Sequence, residues 1–144
     1  MVLEKEEIKK IIPHREPMLL IDSVSALEPE DSLCAHFHVD ATWEIFKGHF
    51  PANPVLPGVY AVECMAQAAD ILLLSMERYA GTIPFFIGID NVRFIQKIRP
   101  GDTIDINVAI LRERKERAIV TCNSEISVGG HLAAKGEVTL AMRK

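Results

Sequence analysis

Residues 57–79 form the sequence PGVYAVECMAQAADILLLSMERY, which has no proline or glycine after Gly58 and consists mainly of good helix formers. It predicts one long helix with proline near its first turn. Because this helix is apolar almost all round, other parts of the protein must surround it. The polar residues Glu63, Gln67 and Asp70 interrupt the apolar run and argue against a membrane span. The pattern therefore predicts a single buried central helix.

The segments on both sides of this helix have the patterns of strands. Upstream, a short amphipathic helix between Leu3 and Ile12 precedes two predicted strands, residues 18–26 and 32–40, joined by an acidic turn. Downstream, an apolar run at residues 85–95 and three alternating segments predict four antiparallel strands. The expected fold class is α+β, a single domain over residues 1–144 with one antiparallel sheet wrapped around the long buried helix.

Composition excludes several classes of protein. The chain has 144 residues, 49% of them hydrophobic and 25% charged, as in an ordinary soluble domain. A net charge of −4 argues against a nucleic-acid partner. Cys34, Cys64 and Cys122 form no CxxC pair and predict reduced core thiols, and the charged N-terminus lacks a secretory signal. We expect a cytoplasmic protein with neither a nucleic-acid nor a membrane partner.

The loop that precedes the helix is the candidate reaction site. Residues 48–58 include three prolines and two glycines, which stiffen the backbone around His49. Glu63 and Gln67 lie four apart on one helical face, and Gly58 lets a ligand oxygen approach the free N–H groups of the first turn. A histidine base, a carboxyl acid and an oxyanion donor are therefore close in sequence. From the residues alone, a packing histidine and a glutamate in a structural ion pair remain alternatives.

Other histidines are weaker candidates. His36, His38 and Asp40 share one face of a predicted strand, where a metal site is conceivable, but the solvated face of an antiparallel sheet is the preferred interpretation. No metal site is therefore expected. His14 and Arg15 are expected to have a structural role in a turn. His131 follows a Gly-Gly turn, so we expect it to be exposed.

Six motifs in a fixed order resemble those of one enzyme family. They are IIPHREPMLLID (11–22), GHFP (48–51), PxxPG (54–58), ExxAQ (63–67), IDNVRF (89–94) and RPGD (99–102). They resemble the FabZ-type 3-hydroxyacyl-acyl-carrier-protein dehydratases of the hot-dog superfamily, over nearly the whole chain. FabA-type relatives have aspartate at the position of Glu63, so the resemblance is to the FabZ side.

The resemblance implies a role for each site residue. His49 would be the catalytic histidine, Glu63 the catalytic acid, and the Gly58 N–H the donor to the thioester carbonyl. Gln67 would orient Glu63. Four further residues would contribute to the substrate site, namely Phe50, Pro57, Val59 and Phe85. The implied reaction converts a (3R)-3-hydroxyacyl chain on acyl carrier protein to the trans-2-enoyl thioester in fatty acid biosynthesis, with no metal or organic cofactor.

The resemblance also implies an assembly. Two protomers would pair their sheets side by side, so that His49 of one meets Glu63 of the other, and family members also form hexamers from three dimers. Arg93, Lys97 and Arg99 would dock the acidic carrier protein, with a merely solvated face as the alternative. Phe85 stands where relatives often have a tunnel-guarding tyrosine and Lys97 where many have proline, which leaves the chain-length preference open.

Three alternative functions remain at this stage. Some relatives also isomerise the trans-2 double bond to cis-3, and the motifs do not separate them from pure dehydratases. A hot-dog thioesterase and a non-catalytic acyl-binding subunit are the other two. The presence of both His49 and Glu63 with the PxxPG loop argues against these last two.

Overall fold

One antiparallel sheet curves around one long helix in the computed structural model, which describes residues 1–144. The helices are α1 (Lys5–Ile8) and α2 (Gly58–Leu74). The strands are β1 (Leu3–Glu4), β2 (Ser23–Glu28), β3 (Ser32–His38), β4 (Ile83–Phe94), β5 (Thr103–Arg114), β6 (Ile119–Val128) and β7 (His131–Arg143). They pair in the order β1-β2-β3-β5-β6-β7-β4, so β1 and β4 are the edges. The predicted α+β hot-dog fold is confirmed.

Helix α2 is the centre of the core, as its composition predicts. Its side chains are buried almost continuously from Ala61 to Leu74. The helix ends five residues earlier than the predicted residue 79, because the Ser75 hydroxyl donates to the carbonyl of Leu72 and a separate 3₁₀ turn, Glu77–Tyr79, follows. Neither helix combines the length and the apolarity that crossing a membrane would require.

The segment that precedes β2 differs from the prediction. A strand was expected over residues 18–26, but β2 begins only at Ser23. Leu19, Leu20 and Ile21 are all buried in succession, whereas a strand with one solvated face buries alternate residues. The backbone N–H of Leu20 donates to the side chain of Gln67. The segment is therefore an irregular part of the core wall that is bonded to α2.

The amino-terminal helix is also shorter than expected. Helix α1 is a single turn, and Ile8 and Ile12 pack into the core. The Arg15 guanidinium donates to the carbonyls of Lys9, Ile12 and His14. The structural turn role expected for this region thus belongs to Arg15.

The strands of the sheet bury alternate residues against α2. On β6, Cys122, Ser124 and Ile126 all face the core, so one of the buried positions of this strand is a serine. All three cysteines are free thiols. Cys64 and Cys122 are buried as expected, but Cys34 is only partly buried because it points away from the core between Leu33 and Ala35.

Candidate active site

His49 is held through one ring nitrogen. Its Nδ1 lies 2.9 Å from the carbonyl oxygen of Val55, and the Val55 N–H donates back to the His49 carbonyl at 3.0 Å. A carbonyl can only accept, so Nδ1 carries the proton in this contact and Nε2 keeps its lone pair. The ring stacks on Phe50 with 4.1 Å between centroids, and the peptide bond between the two residues is cis. The loop thus presents a histidine that can accept a proton at Nε2.

Two neighbouring cavities contain the predicted catalytic residues. His49 lines a cavity of about 450 Å³, and Glu63 lines another of about 340 Å³. Gly58 and Phe94 border both cavities. A Cβ at Gly58 would lie 2.8 Å from Cζ of Phe94, so a glycine is needed for the ring to lie this close to the helix. Within one chain, His49 and Glu63 therefore line two different cavities that share Gly58 and Phe94.

The first turn of α2 offers free hydrogen-bond donors between these cavities. Pro57 is the N-cap residue, and the N–H groups of Gly58 and Val59 donate to no group in the chain. Unpaired amides at a helix N-terminus carry partial positive charge and favour a developing anion. The turn can therefore bind the oxygen of a polarised carbonyl.

Glu63 is fixed by Gln67. The Gln67 amide nitrogen donates to Oε2 of Glu63 at 2.9 Å and to the Met18 carbonyl at 2.8 Å. The Gln67 oxygen accepts the N–H of Leu20 at 2.9 Å. Since Gln67 is completely buried and bonded to the backbone on both sides, it fixes the orientation of the Glu63 carboxyl. The Glu63 side chain itself is 22% exposed, less buried than its apolar helix suggested.

The structure adds two residues that the sequence analysis did not place at the site. Asp70, on the same helical face as Glu63 and Gln67, is 2% exposed. His14 Nε2 lies 3.6 Å from Oδ2 of Asp70 and 3.9 Å from Oε2 of Glu63. His14 Nδ1 and Asp70 Oδ1 are buried without a partner. The His14 carbonyl takes part in the expected turn, and its ring in addition faces two carboxyl groups of α2.

Burial determines the protonation of this added pair. Burial, and secondly the charge of Glu63, raise the pKa of Asp70 well above its ordinary range. Burial lowers the pKa of His14, against a smaller opposing effect of Glu63. Both shifts favour the uncharged forms. The spacing of Glu63, Gln67 and Asp70 along one helical face was the available sequence signal for Asp70.

Other predicted substrate-site residues lie at the rim. Phe50 and Val59 are exposed, and Val59 lines the Glu63 cavity. Phe85 is exposed in β4 opposite Ala141 and lines neither cavity.

The predicted docking cations are divided between two places. Lys97 lines the His49 cavity and, together with Arg99 and the exposed His131, a neighbouring cleft of about 530 Å³. Arg93 is exposed on β4 opposite Lys135 and does not line this cleft.

The histidines of β3 belong to the outer face of the sheet. The His36 ring lies 2.7 Å from Asp105 and 2.6 Å from the Ser25 hydroxyl, and the His38 ring lies 3.0 Å from the Thr103 hydroxyl. The Asp40 carboxylate accepts hydrogen bonds from Thr42. No group of three potential metal ligands is found in the structure.

Comparison with known proteins gives the same assignment as the motifs. The FabA-like domain model matches residues 12–137. The chain is 43% identical to 3-hydroxyacyl-acyl-carrier-protein dehydratase FabZ of Clostridium perfringens, over 94% of this chain and 96% of that protein. The FabZ protein of Oenococcus oeni is 40% identical, over 95% of this chain and 97% of its own length.

A solved structure supports the fold. A dehydratase heterocomplex from Xenorhabdus doucetiae superposes with a TM-score of 0.77 at 21% identity, over 95% of this chain and 91% of that one. With the family model and the two relatives, these similarities show that the chain belongs to the FabA-like family and, within it, to the FabZ-type 3-hydroxyacyl-acyl-carrier-protein dehydratases.

Proposed function

We propose that this protein removes water from (3R)-3-hydroxyacyl chains carried on acyl carrier protein and forms the trans-2-enoyl thioester in fatty acid biosynthesis. Membership of the FabZ-type family supports this reaction. The observation that carries the proposal is the His49 geometry, in which Nδ1 is bonded to Val55 and Nε2 is left as a base. It is joined by a fixed carboxyl and by a helix N-terminus with free amides.

The reaction follows from these three groups. His49 takes the C2 proton through Nε2, and negative charge develops on the thioester oxygen. The Gly58 N–H stabilises that charge at the helix N-terminus. Glu63 gives its proton to the departing 3-hydroxyl, so water leaves and the double bond forms between C2 and C3. These steps use protein groups alone.

The complete site needs two copies of the chain. Strand β4 is an edge strand whose exposed apolar residues are Ile83, Phe85, Phe86, Ile87, Ile89 and Phe94. A long apolar edge is suited to pairing with another sheet. Phe86, Ile89 and Phe94 also line the Glu63 cavity, so a second copy paired along β4 covers this cavity. His49 of one protomer then meets Glu63 of its partner in a homodimer, and three dimers form the hexamer.

The carrier protein binds beside the His49 cavity. Lys97 lies on the cavity wall and Arg99 in the adjoining cleft, with Arg93 exposed on β4. These cations attract an acidic carrier and direct its acyl chain to the cavity. The enzyme acts in the cytoplasm.

Mass spectrometry of the product tests the proposal. The protein is incubated with 3-hydroxyacyl carrier protein, and the carrier is weighed. Loss of one water with an intact thioester is the expected result. Free carrier thiol would indicate a thioesterase, and an unchanged mass would indicate a binding subunit; either would contradict the proposal. Chromatography of the released chain separates trans-2 from cis-3 products and so detects isomerisation.

A further inference from the structure

Asp70 is a buried carboxyl that the proposed reaction does not use. It lies in the C-terminal half of α2 with one oxygen unpartnered and the other facing Nε2 of His14. Burying a polar group without a hydrogen-bond partner is unfavourable, so an apolar residue would stabilise the helix better at this position. Packing therefore does not explain the presence of an aspartate.

The position of His14 gives Asp70 a connection to Glu63. One nitrogen of His14, Nε2, faces an oxygen of Asp70 at 3.6 Å and an oxygen of Glu63 at 3.9 Å. Both distances are less than about 1 Å longer than a hydrogen bond, so small shifts of side chains close either contact. A proton accepted by Nε2 from one carboxyl can pass to the other without the ring turning over.

We propose that Asp70 and His14 form a proton relay that restores the acid form of Glu63 after each turnover. This inference rests on the proposed function, in which Glu63 loses its proton to the departing hydroxyl. Asp70 gives its proton to His14 Nε2, and the resulting imidazolium gives that proton to the Glu63 carboxylate. Asp70 is left as the carboxylate and later regains a proton from solvent through His14, whose side chain is 19% exposed. The relay changes no other bond.

The surroundings of Asp70 support a stored proton. The titratable and charged groups around Asp70 and His14 are Glu63 on α2, Arg15 from the segment after α1, and Cys122 on β6. Burial raises the pKa of Cys122 to about 12, so this thiol keeps its proton near neutral pH and does not compete. Burial raises the pKa of Asp70 well above its ordinary range, which favours its protonated form.

Asp70→Asn tests the relay because it keeps the shape and removes the acidic proton. We expect the steady-state kcat to fall on the order of tenfold, less than the roughly 10²-fold or more for loss of a direct acid, with KM unchanged. The first turnover, measured by rapid mixing, should keep its wild-type rate, because the relay acts only after Glu63 has given its proton to the departing hydroxyl. Small buffer acids such as imidazole should restore the steady-state rate as their concentration rises. His14→Gln should behave in the same way, and it carries the test if Asp70→Asn does not fold.

A matched control and an independent measurement complete the experiment. Ser124→Ala removes another buried unpartnered polar group from the core and should leave kcat and its buffer dependence at wild-type values. The infrared difference spectrum between the wild type and Asp70→Asn at neutral pH should show one protonated-carboxyl band, which belongs to Asp70 because Glu63 contributes equally to both proteins. The absence of that band would overturn the relay, as would a loss of activity equal in the first and later turnovers and insensitive to buffer. A wild-type protein that shows the band but does not dehydrate its substrate would instead contradict the proposed function.

Discussion

The two histidines near α2 are held in opposite ways. His49 is fixed by a hydrogen bond from Nδ1 to Val55 and lines a cavity large enough for a ligand. His14 makes no side-chain hydrogen bond and lies between two carboxyl groups, with Nδ1 buried. A base that acts on substrate needs a fixed tautomer and an open side. A histidine that exchanges protons with neighbouring side chains needs only to be close to them.

Replacing His49 is the strongest challenge to this distinction. His49→Ala should lower kcat by roughly 10²- to 10⁴-fold, because His49 is the only imidazole or carboxyl side chain that lines its cavity. The fold should survive, since His49 lies in a surface loop and is only partly buried. Circular dichroism checks the fold, and the carrier assay measures the rate. Near-normal turnover by a folded His49→Ala protein would show that another residue is the base and would contradict the distinction between His49 and His14.

A methyl group added at Gly58 tests whether the cavity beside His49 depends on the close contact between Gly58 and Phe94. Gly58→Ala should push the Phe94 ring away from the helix and lower kcat/KM by about 10- to 100-fold, because misplacement near 1 Å is enough for such losses. The free energy of unfolding of the single chain should change little, because its Phe94 ring is exposed and can move aside.

Two further variants show whether the contact with Phe94 causes the loss of activity in Gly58→Ala. Gly48→Ala adds the same methyl where the nearest atom is 4.0 Å away, and it should retain activity. The double variant Gly58→Ala/Phe94→Leu should recover part of the loss. No recovery in the double variant would show that the contact with Phe94 is not the cause.

At the buried His14–Asp70 pair we expect a smaller effect, which concerns the stability of the protein. The pKa of Asp70 is raised from 3.8 in the folded state, so the folded protein keeps this proton where the unfolded chain has lost it. The free energy of unfolding should therefore fall by about 1.4 kcal/mol per pH unit as pH rises from 3.8 through the raised pKa. Asp70→Asn lacks this contribution. Denaturant titrations should therefore show that its free energy of unfolding increases relative to that of the wild type as pH rises. Parallel stability curves for the two proteins would refute the buried neutral carboxyl.

The elements that the sequence predicted best are those in which one pattern has one explanation. The all-round apolar helix and the alternation in β5 are of this kind, and the motifs around His49 and Glu63 identified the family. The run at residues 19–21 was predicted to be strand because a fully buried strand and a buried irregular segment have the same composition. Its backbone bond to the Gln67 side chain depends on a tertiary contact.

The contact between His14 and Asp70 shows a second limit of sequence reasoning. His14 and Asp70 are far apart in the chain and meet only because the segment after α1 crosses the face of α2 that carries Glu63. The helical spacing places Asp70 beside Glu63, but it does not show which residue packs against them. The division of the site between two cavities likewise depends on how the Phe94 ring lies against Gly58.

The central claim is that base and acid come from different protomers, and mixing of inactive subunits tests it most directly. His49→Ala and Glu63→Gln proteins, each inactive alone, are combined under mild dissociation and allowed to exchange. Random pairing makes about half of the dimers mixed, and each mixed dimer of an isologous pair has one intact site of two. Activity should therefore return to about a quarter of the wild-type value. If subunit exchange is demonstrated by native mass spectrometry and no activity returns, His49 and Glu63 serve the same protomer and the shared site is wrong.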